Sequence, residues 1–227
     1  MTVRLLSYSQ PTEEFADMGI ADAQELIAYC ARVSNPSNQL NTETSEKLIK
    51  YLVKHQHWSP LEMVSACLEI TTTRDIARQI LRHRSFSFQE FSQRYADPTK
   101  DMNFVLRETR LQDTKNRQNS VDLTMDTPEQ RKLAMDWTKA QQRVTLAAKD
   151  AYEWAINNGI AKEQARAVLP EGLIESRLYM NGTLRSWIHF IELRSANGTQ
   201  KEHQQVAVAC AEAIAKIFPM AKELVAN

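Results

Sequence analysis

Glycine is scarce in this chain: five in 227 residues, at 19, 159, 172, 182 and 198, each isolated from the others. They assemble no G-x-G-x-x-G turn and no P-loop, so a phosphorylated ligand would have to be held by side chains. Cysteine is scarcer still. Cys30, Cys67 and Cys210 lie far apart with no C-x-x-C pair. That excludes a disulfide or zinc framework and reads as reduced, buried thiols, with no metal site. No sign of charge dominates: 28 Lys plus Arg balance 28 Asp plus Glu. No broad field therefore gathers nucleic acid, and no nucleic-acid partner is expected. No apolar run approaches a membrane span, and no basic-then-apolar leader opens the chain. The expectation is a soluble, cytoplasmic protein with no membrane partner. At 43% hydrophobic, the chain can bury a sizeable core, and one domain over residues 1–227 is expected.

What is present is concentrated between Arg82 and Tyr95, which read R-H-R-S-F-S-F-Q-E-F-S-Q-R-Y. Arg82, His83, Arg84, Gln89, Glu90, Ser92 and Arg94 alternate with Phe86, Phe88 and Phe91. Guanidinium forks match pairs of phosphate oxygens, and hydroxyls and amides supply further contacts, so the stretch reads as a nucleotide-handling site. The residues before it form a helical ladder. Arg74, Arg78 and Arg82 share one side, as do Asp75, Gln79 and His83, while Ile76, Ala77, Ile80 and Leu81 face the core. A solvated face with Asp75 neutralising Arg74 or Arg78 is the plainer reading of that helix.

Around this centre the chain alternates helical and extended patterns. Val3–Tyr8 and Leu61–Thr73 read as strands, Ile174–Met180 as a third, and Ser92–Ala96 as a shorter extended piece. Helices are expected over Ala21–Val33, Thr42–His55, Pro128–Asn157, Ala161–Leu169, Thr183–Ala196 and Thr199–Phe218. Asn158-Gly159 closes the longest of them, in which Leu133, Trp137, Val144, Leu146, Ala147 and Tyr152 are available to pack. Residues 97–127 are polar and aperiodic, long enough for a functional lid or an assembly arm. The class is α+β: a mostly helical single domain around a small mixed or antiparallel sheet.

The run Arg82-His83-Arg84, then seven residues to Ser92 and on to Arg94, resembles the signature of flavin-dependent thymidylate synthases. Supporting pieces follow in the same order: Ala31-Arg32-Val33-Ser34, His57-Trp58-Ser59-Pro60 with Glu62, Gln79, Leu169-Pro170, Ser176-Arg177, and Glu192-Leu193-Arg194 through Glu202. The run from Asn197 to His203, N-G-T-Q-K-E-H, looks most like viral members. The resemblance implies conversion of dUMP to dTMP, with 5,10-methylenetetrahydrofolate as carbon donor and NADPH reducing a bound FAD, in a homotetramer. It implies FAD contacts from Ser59, Arg82, His83, Arg84, Glu90, Arg194 and Asn197, with Ser34, His57 and Glu62 beside the flavin. It implies dUMP contacts from Gln79, Arg82, Glu90, Phe91, Ser92, Gln93, Arg94 and Arg177, with Arg94 and Arg177 on the phosphate. Two positions depart from the pattern. Met63 stands where many relatives have His, and Gln204 where many have the Arg held to ionise the pyrimidine; Lys201, Arg177 or an arginine of another subunit is the expected stand-in.

Independently of the resemblance, none of the three cysteines sits in a nucleophile motif, so a route that needs no thiol fits the chain. Alternatives for single residues stay open at this level. His83 between two arginines reads as a neutral ligand imidazole. Glu90 is spaced to pair with Arg94, His57 to cap the strand entrance, and His189 to pack. Trp137 and Trp154 suit a core or a subunit contact, and Lys115-Asn116-Arg117-Gln118 either reaches substrate or forms a solvated turn. The rival functions are a non-catalytic nucleotide or single-stranded RNA binder using the three phenylalanines as stacking platforms, and a purely structural helical assembly.

Overall fold

A computed structural model describes residues 1–225. In chain order the elements are β1 (Thr2–Tyr8), α1 (Glu13–Asp17), α2 (Ala23–Ala31), α3 (Ser45–Lys54), β2 (Ser65–Thr73), α4 (Arg74–Ile80), β3 (Ser87–Glu90) and α5 (Pro98–Asp101). There follow β4 (Arg110–Gln112), β5 (Ser120–Asp122), α6 (Pro128–Asn157), α7 (Lys162–Ala165), β6 (Glu175–Thr183), α8 (Leu184–Ser195) and α9 (Lys201–Ile214). Four strands form one antiparallel sheet in the order β1-β2-β6-β3, and β4 and β5 form a separate hairpin. The α+β expectation holds, and the sheet is antiparallel throughout.

The two central strands, β2 and β6, pair from Ser65 with Thr183 to Thr73 with Glu175. Each runs without a loop into a helix, α4 after Thr73 and α8 after Thr183; the Thr183 hydroxyl caps the latter by accepting from the Ser186 N–H. Strand alternation separates the faces of β6. Ser176, Leu178, Met180 and Gly182 are buried, whereas Arg177 and Asn181 are exposed. Beneath the buried face lies the core: Leu68, Ile70, Ile76, Ile80, Trp187, Phe190, Ile191, Val206, Cys210 and Ile214 are sealed from solvent. Trp187 donates its indole N–H to the Ala66 carbonyl at 3.0 Å, and its ring meets Phe86 at 4.8 Å. Gly182 is required beside that ring, because a Cβ there would stand 2.4 Å from Phe86 Cδ1.

Several sequence expectations shift by local chemistry. Strand β2 begins at Ser65, not Leu61, because Ser59–Glu62 winds into a 3-10 turn opened by Pro60. The extended piece after the motif is Ser87–Glu90, where backbone groups find β6; Ser92–Ala96 instead closes a turn through bonds from the Tyr95 and Ala96 N–H groups to the Ser92 carbonyl. The expected helix over Ala161–Leu169 divides into α7 and a 3-10 turn, Arg166–Val168. The last helix ends at Ile214, with a 3-10 segment at Pro219–Leu224.

Residues 97–127 are not structureless. They hold α5 and the β4–β5 hairpin, and Arg107 ties them to the domain. Its guanidinium donates to Asp75 Oδ1 at 2.7 Å, Thr73 Oγ1 at 2.6 Å and the Gly172 carbonyl at 3.0 Å. Asp75 is therefore engaged by Arg107, not by Arg74 or Arg78.

The long helix α6 has the expected bounds. A reciprocal capping box between Thr127 and Gln130 opens it, and Gly159, at φ +77°, follows its end. Its packing differs from expectation. Ala134, Gln141, Ala148, Tyr152 and Ala155 are buried, whereas Leu133, Trp137, Val144, Leu146 and Trp154 are 43–63% exposed. Small side chains let α6 lie close to the body, and the bulky ones are left outward.

Candidate functional site

The motif follows α4 on a tight turn. Buried Ile76, Ala77 and Ile80 anchor the helix, so Arg78 and Arg82 emerge at the surface while Gln79 stays half-buried. Arg82 and Arg84 are exposed and pair with no carboxylate among the described residues. His83 turns inward: Arg194 Nε donates to its Nε2 at 2.8 Å, and its ring meets Phe190 at 5.0 Å. Burial, reinforced by the Arg194 charge, pushes His83 down to about 4, so the imidazole is neutral. Burial and the charge of Arg82 also lower Arg194. Arg82 and Arg194 thus stand near one another, with exposed Arg84 two residues on, and none of the three has an acidic counterpart among the described residues.

Next to them, Glu90 is a hub. Its carboxylate accepts from Arg78 Nη1 at 3.1 Å and from the Ser176 hydroxyl at 2.8 Å, with Arg74 Nη1 at 3.6 Å. Glu90 does not pair with Arg94, whose Nε stands 3.6 Å from Glu163 Oε2. Arg74 and Arg78 also reach Glu171, at 3.1 and 3.7 Å. The cleft beside this hub, about 380 Å³, is lined by Arg74, Arg78, Gln93, Arg166, Leu169 and Glu171. Gln93 is buried with its Nε2 unpartnered, and Arg166 forms no ion pair among the described residues, donating only to the Glu163 carbonyl at 3.3 Å. Sequence reasoning did not single out Arg166. The signal available was its position three residues before Leu169-Pro170.

The other candidates fall in separate places. Arg177 lies on the exposed face of β6, opposite the side carrying Ser176, and touches the motif only through its carbonyl, which accepts from the Phe91 N–H at 2.8 Å. Ser59 and Glu62 lie on the 3-10 turn, where Glu62 pairs with Arg185. His57 is exposed, its ring edge-on to Tyr51 at 5.9 Å, and Ser34 lines a cleft with Tyr51. His189 is exposed and rests edge-on against Trp58 at 4.6 Å. Phe86 is buried against Trp187 and Phe190, so it offers no stacking platform.

Asn197, Lys201 and Gln204 share a cleft of about 350 Å³ with Arg110, Asp122 and Gln200. Within it the Lys201 ammonium is held by Asp122 at 2.9 Å and Glu108 at 3.1 Å, which raises its pKa, and Gln204 donates to the Ala196 carbonyl at 3.0 Å. Glu202 pairs with Arg110, and Arg107 stands 3.3 Å from it. Burial raises this carboxyl, but the hydrogen bonds from Arg110, its own backbone N–H and Gln200 outweigh it and hold the group at about 2. His203 is fully buried, and burial with the nearby Arg194 and His83 lowers it to about 3.

The two depressed histidines make a testable pH dependence. In the unfolded chain they titrate near 6.5, so the unfolded state takes up protons first on acidification. Stability is full above that value and falls as pH drops toward 4 for His83 and 3 for His203, by up to ~1.4 kcal/mol per pH unit for His203 and by less for the more solvent-screened His83. Glu202 contributes below its usual 4.5, with stability lost as pH falls toward 2. Melting temperatures should therefore decline steadily from about pH 6.5 downward; a flat profile to about pH 4.5 would exclude the neutral buried pair.

The family described as thymidylate synthase complementing protein matches residues 17–220. The chain belongs to this family. A probable flavin-dependent thymidylate synthase of Paramecium bursaria Chlorella virus 1 is 47% identical over 219 residues, covering 96% of each chain. The flavin-dependent thymidylate synthase of a Synechocystis strain is 48% identical over 220 residues, again covering 96% of each. Among solved structures, the UMP/dUMP methylase PolB from Streptomyces cacaoi, bound with 5-Br dUMP, aligns with a TM-score of 0.72 at 24% identity. That alignment covers 98% of this chain and 93% of the other, and it is a likeness of fold.

Proposed function

We propose that this protein methylates dUMP to dTMP, taking its carbon from 5,10-methylenetetrahydrofolate and its reducing equivalents from NADPH through FAD. The observation that carries this reading is the cluster of Arg82, Arg84 and Arg194, which has no counterion among the described residues, in a chain matched over 96% of its length by flavin-dependent thymidylate synthases. Such a cluster fits a diphosphate, which supplies the missing negative charge. The thiols support the same choice. Burial raises Cys30 and Cys67, and Cys210 is raised further inside the core, so no cysteine is tuned as a nucleophile.

In this reading Arg82, Arg84 and Arg194 hold the FAD diphosphate, and His83, neutral and fixed by Arg194, is a packing and hydrogen-bonding surface beside it. Asn197 and Ser59 complete the cofactor contacts, with Ser34, His57 and Glu62 presented by another copy of the chain. Bound FAD, once reduced, supplies the hydride that ends in the new methyl group. The chain's own residues orient and polarise the nucleotide. Arg94 and Arg166 converge on residue 163 and take the phosphate of dUMP, Gln93 and Ser92 add donors, and Gln79 with the Glu90 hub faces the pyrimidine. Arg177, pointing to the other face of the sheet, Lys201 and Gln204 remain candidates for polarising a ring held between copies.

Assembly into a homotetramer belongs to the same proposal. Arg82 and Arg84 stand on open surface, so a flavin there needs a second wall. On α6, Leu133, Trp137, Val144, Ala147 and Trp154 fall on the seam of a seven-residue repeat and are solvent-exposed. Purified protein supplied with FAD should be yellow and should form dTMP from dUMP, NADPH and the folate donor. Colourless protein without dTMP formation would sink the reading, and salt-sensitive RNA binding would replace it.

A further inference from the structure

The polar chain that ends on Gln79 has a direction, and one charge sets it. Ionised Glu202 can only accept hydrogen bonds. The Gln200 amide nitrogen therefore faces it, donating to Oε2 at 2.9 Å, which turns the Gln200 carbonyl oxygen toward α4. That oxygen accepts from Gln79 Nε2, also at 2.9 Å. Gln79 Oε1 is left facing α9, where it lies 3.2 Å from Nδ1 of His203. An acceptor at that point requires the His203 proton on Nδ1, and the opposite nitrogen, Nε2, is buried with no partner.

Reversing the Gln79 amide would set its NH2 against the His203 N–H and its oxygen against the Gln200 oxygen. With the proton on Nδ1 both contacts would be repulsive, and moving it to Nε2 would still leave the two amide oxygens opposed. His203 is sealed by Phe190, 5.8 Å away, and by α9 itself, so no exposed rotamer relieves the clash. A primary amide with free partners flips readily; this one is held by a donor on one side and an acceptor on the other.

Resting on the reading that Gln79 faces the pyrimidine, we infer that His203 is a positioning residue which, with Gln200, locks the Gln79 amide in one orientation and thereby selects a 4-oxo over a 4-amino pyrimidine nucleotide. The remaining lone pair of Oε1 accepts from a ring N–H, and the remaining Nε2 proton goes to the adjacent ring carbonyl. Uracil offers that donor beside that acceptor. Cytosine offers an unprotonated ring nitrogen beside an amino group, the reverse order, and it fits only a flipped amide. A site built on hydrogen bonds rejects such an analogue because its polar groups are left unpaired.

The test compares dUMP with dCMP by calorimetric titration of the FAD-loaded protein. His203→Phe keeps a buried ring and deletes the donor; Gln200→Met deletes the acceptor at an exposed position where folding is not at stake. In both, the preference for dUMP should shrink by about tenfold or more, largely through improved dCMP binding. His203→Asn, whose own amide can turn either a donor or an acceptor to Gln79, should lose the preference much as His203→Phe does. Retention of the wild-type ratio in Gln200→Met overturns the inference, as does an equal loss of both nucleotides in His203→Phe. Failure of the unmodified protein to bind dUMP would instead remove the functional reading on which the inference stands.

Discussion

Binding of dUMP should weaken about a hundredfold, roughly 2–3 kcal/mol, when Arg166 is replaced by alanine, while flavin uptake changes little. Arg166 has no carboxylate partner among the described residues, and the cleft it lines contains the unpartnered amide nitrogen of buried Gln93. Arg74 and Arg78 in the same cleft are already neutralised by Glu90 and Glu171, so the unmatched positive charge there is that of Arg166. Arg94 stands close by at Glu163, and its alanine variant should shift dUMP in the same direction. Separate titrations of dUMP and FAD check the division of labour. Equal weakening of both ligands by Arg166→Ala would show that the phosphate and flavin sites are not distinct.

The largest loss of stability should come from Trp187→Ala, about 3–5 kcal/mol. Trp187, on α8, is fully buried against β2, touches Phe86 and Phe190, and donates to the Ala66 carbonyl. Removing it opens a cavity under the strand that leads into α4 and strips a hydrogen bond from the same strand. Trp187→Phe, which fills most of the space, should lose clearly less. The measurement is the urea midpoint with the slope held constant. A loss below about 1.5 kcal/mol for the alanine variant would mean that the α8 side of the core collapses into the space.

Much of the fold was legible because its signals are local. Helix α6 starts at a threonine before a proline and stops before a glycine that takes positive φ, and its bounds follow from those caps alone. The inward face of Ile76, Ala77 and Ile80 likewise follows from a 3.6-residue period, whereas the expected ladder of Arg74, Arg78 and Arg82 is cut short because α4 ends at Ile80. Side-chain partners were another matter. Asp75 is next to Arg74 in sequence and bonds to Arg107, 32 residues away. Glu90 is four residues from Arg94 and bonds to Arg78 and Ser176. In both cases β3 and the segment after α5 deliver a partner that no short-range spacing announces.

From its residues alone, this chain determined its class, the bounds of its longest helix and the expectation of a nucleotide-handling site in the Arg82–Arg94 stretch. Each of these depends on neighbours within a few positions or on which residue types exist at all. Tertiary structure decided which cations stay uncompensated, which face of the sheet each one occupies, and that His203 reaches Gln79 across 124 positions. Charge compensation and amide orientation depend on groups within about 3 Å in space, and proximity on that scale arises only when β6, α8 and α9 have closed over β2 and α4.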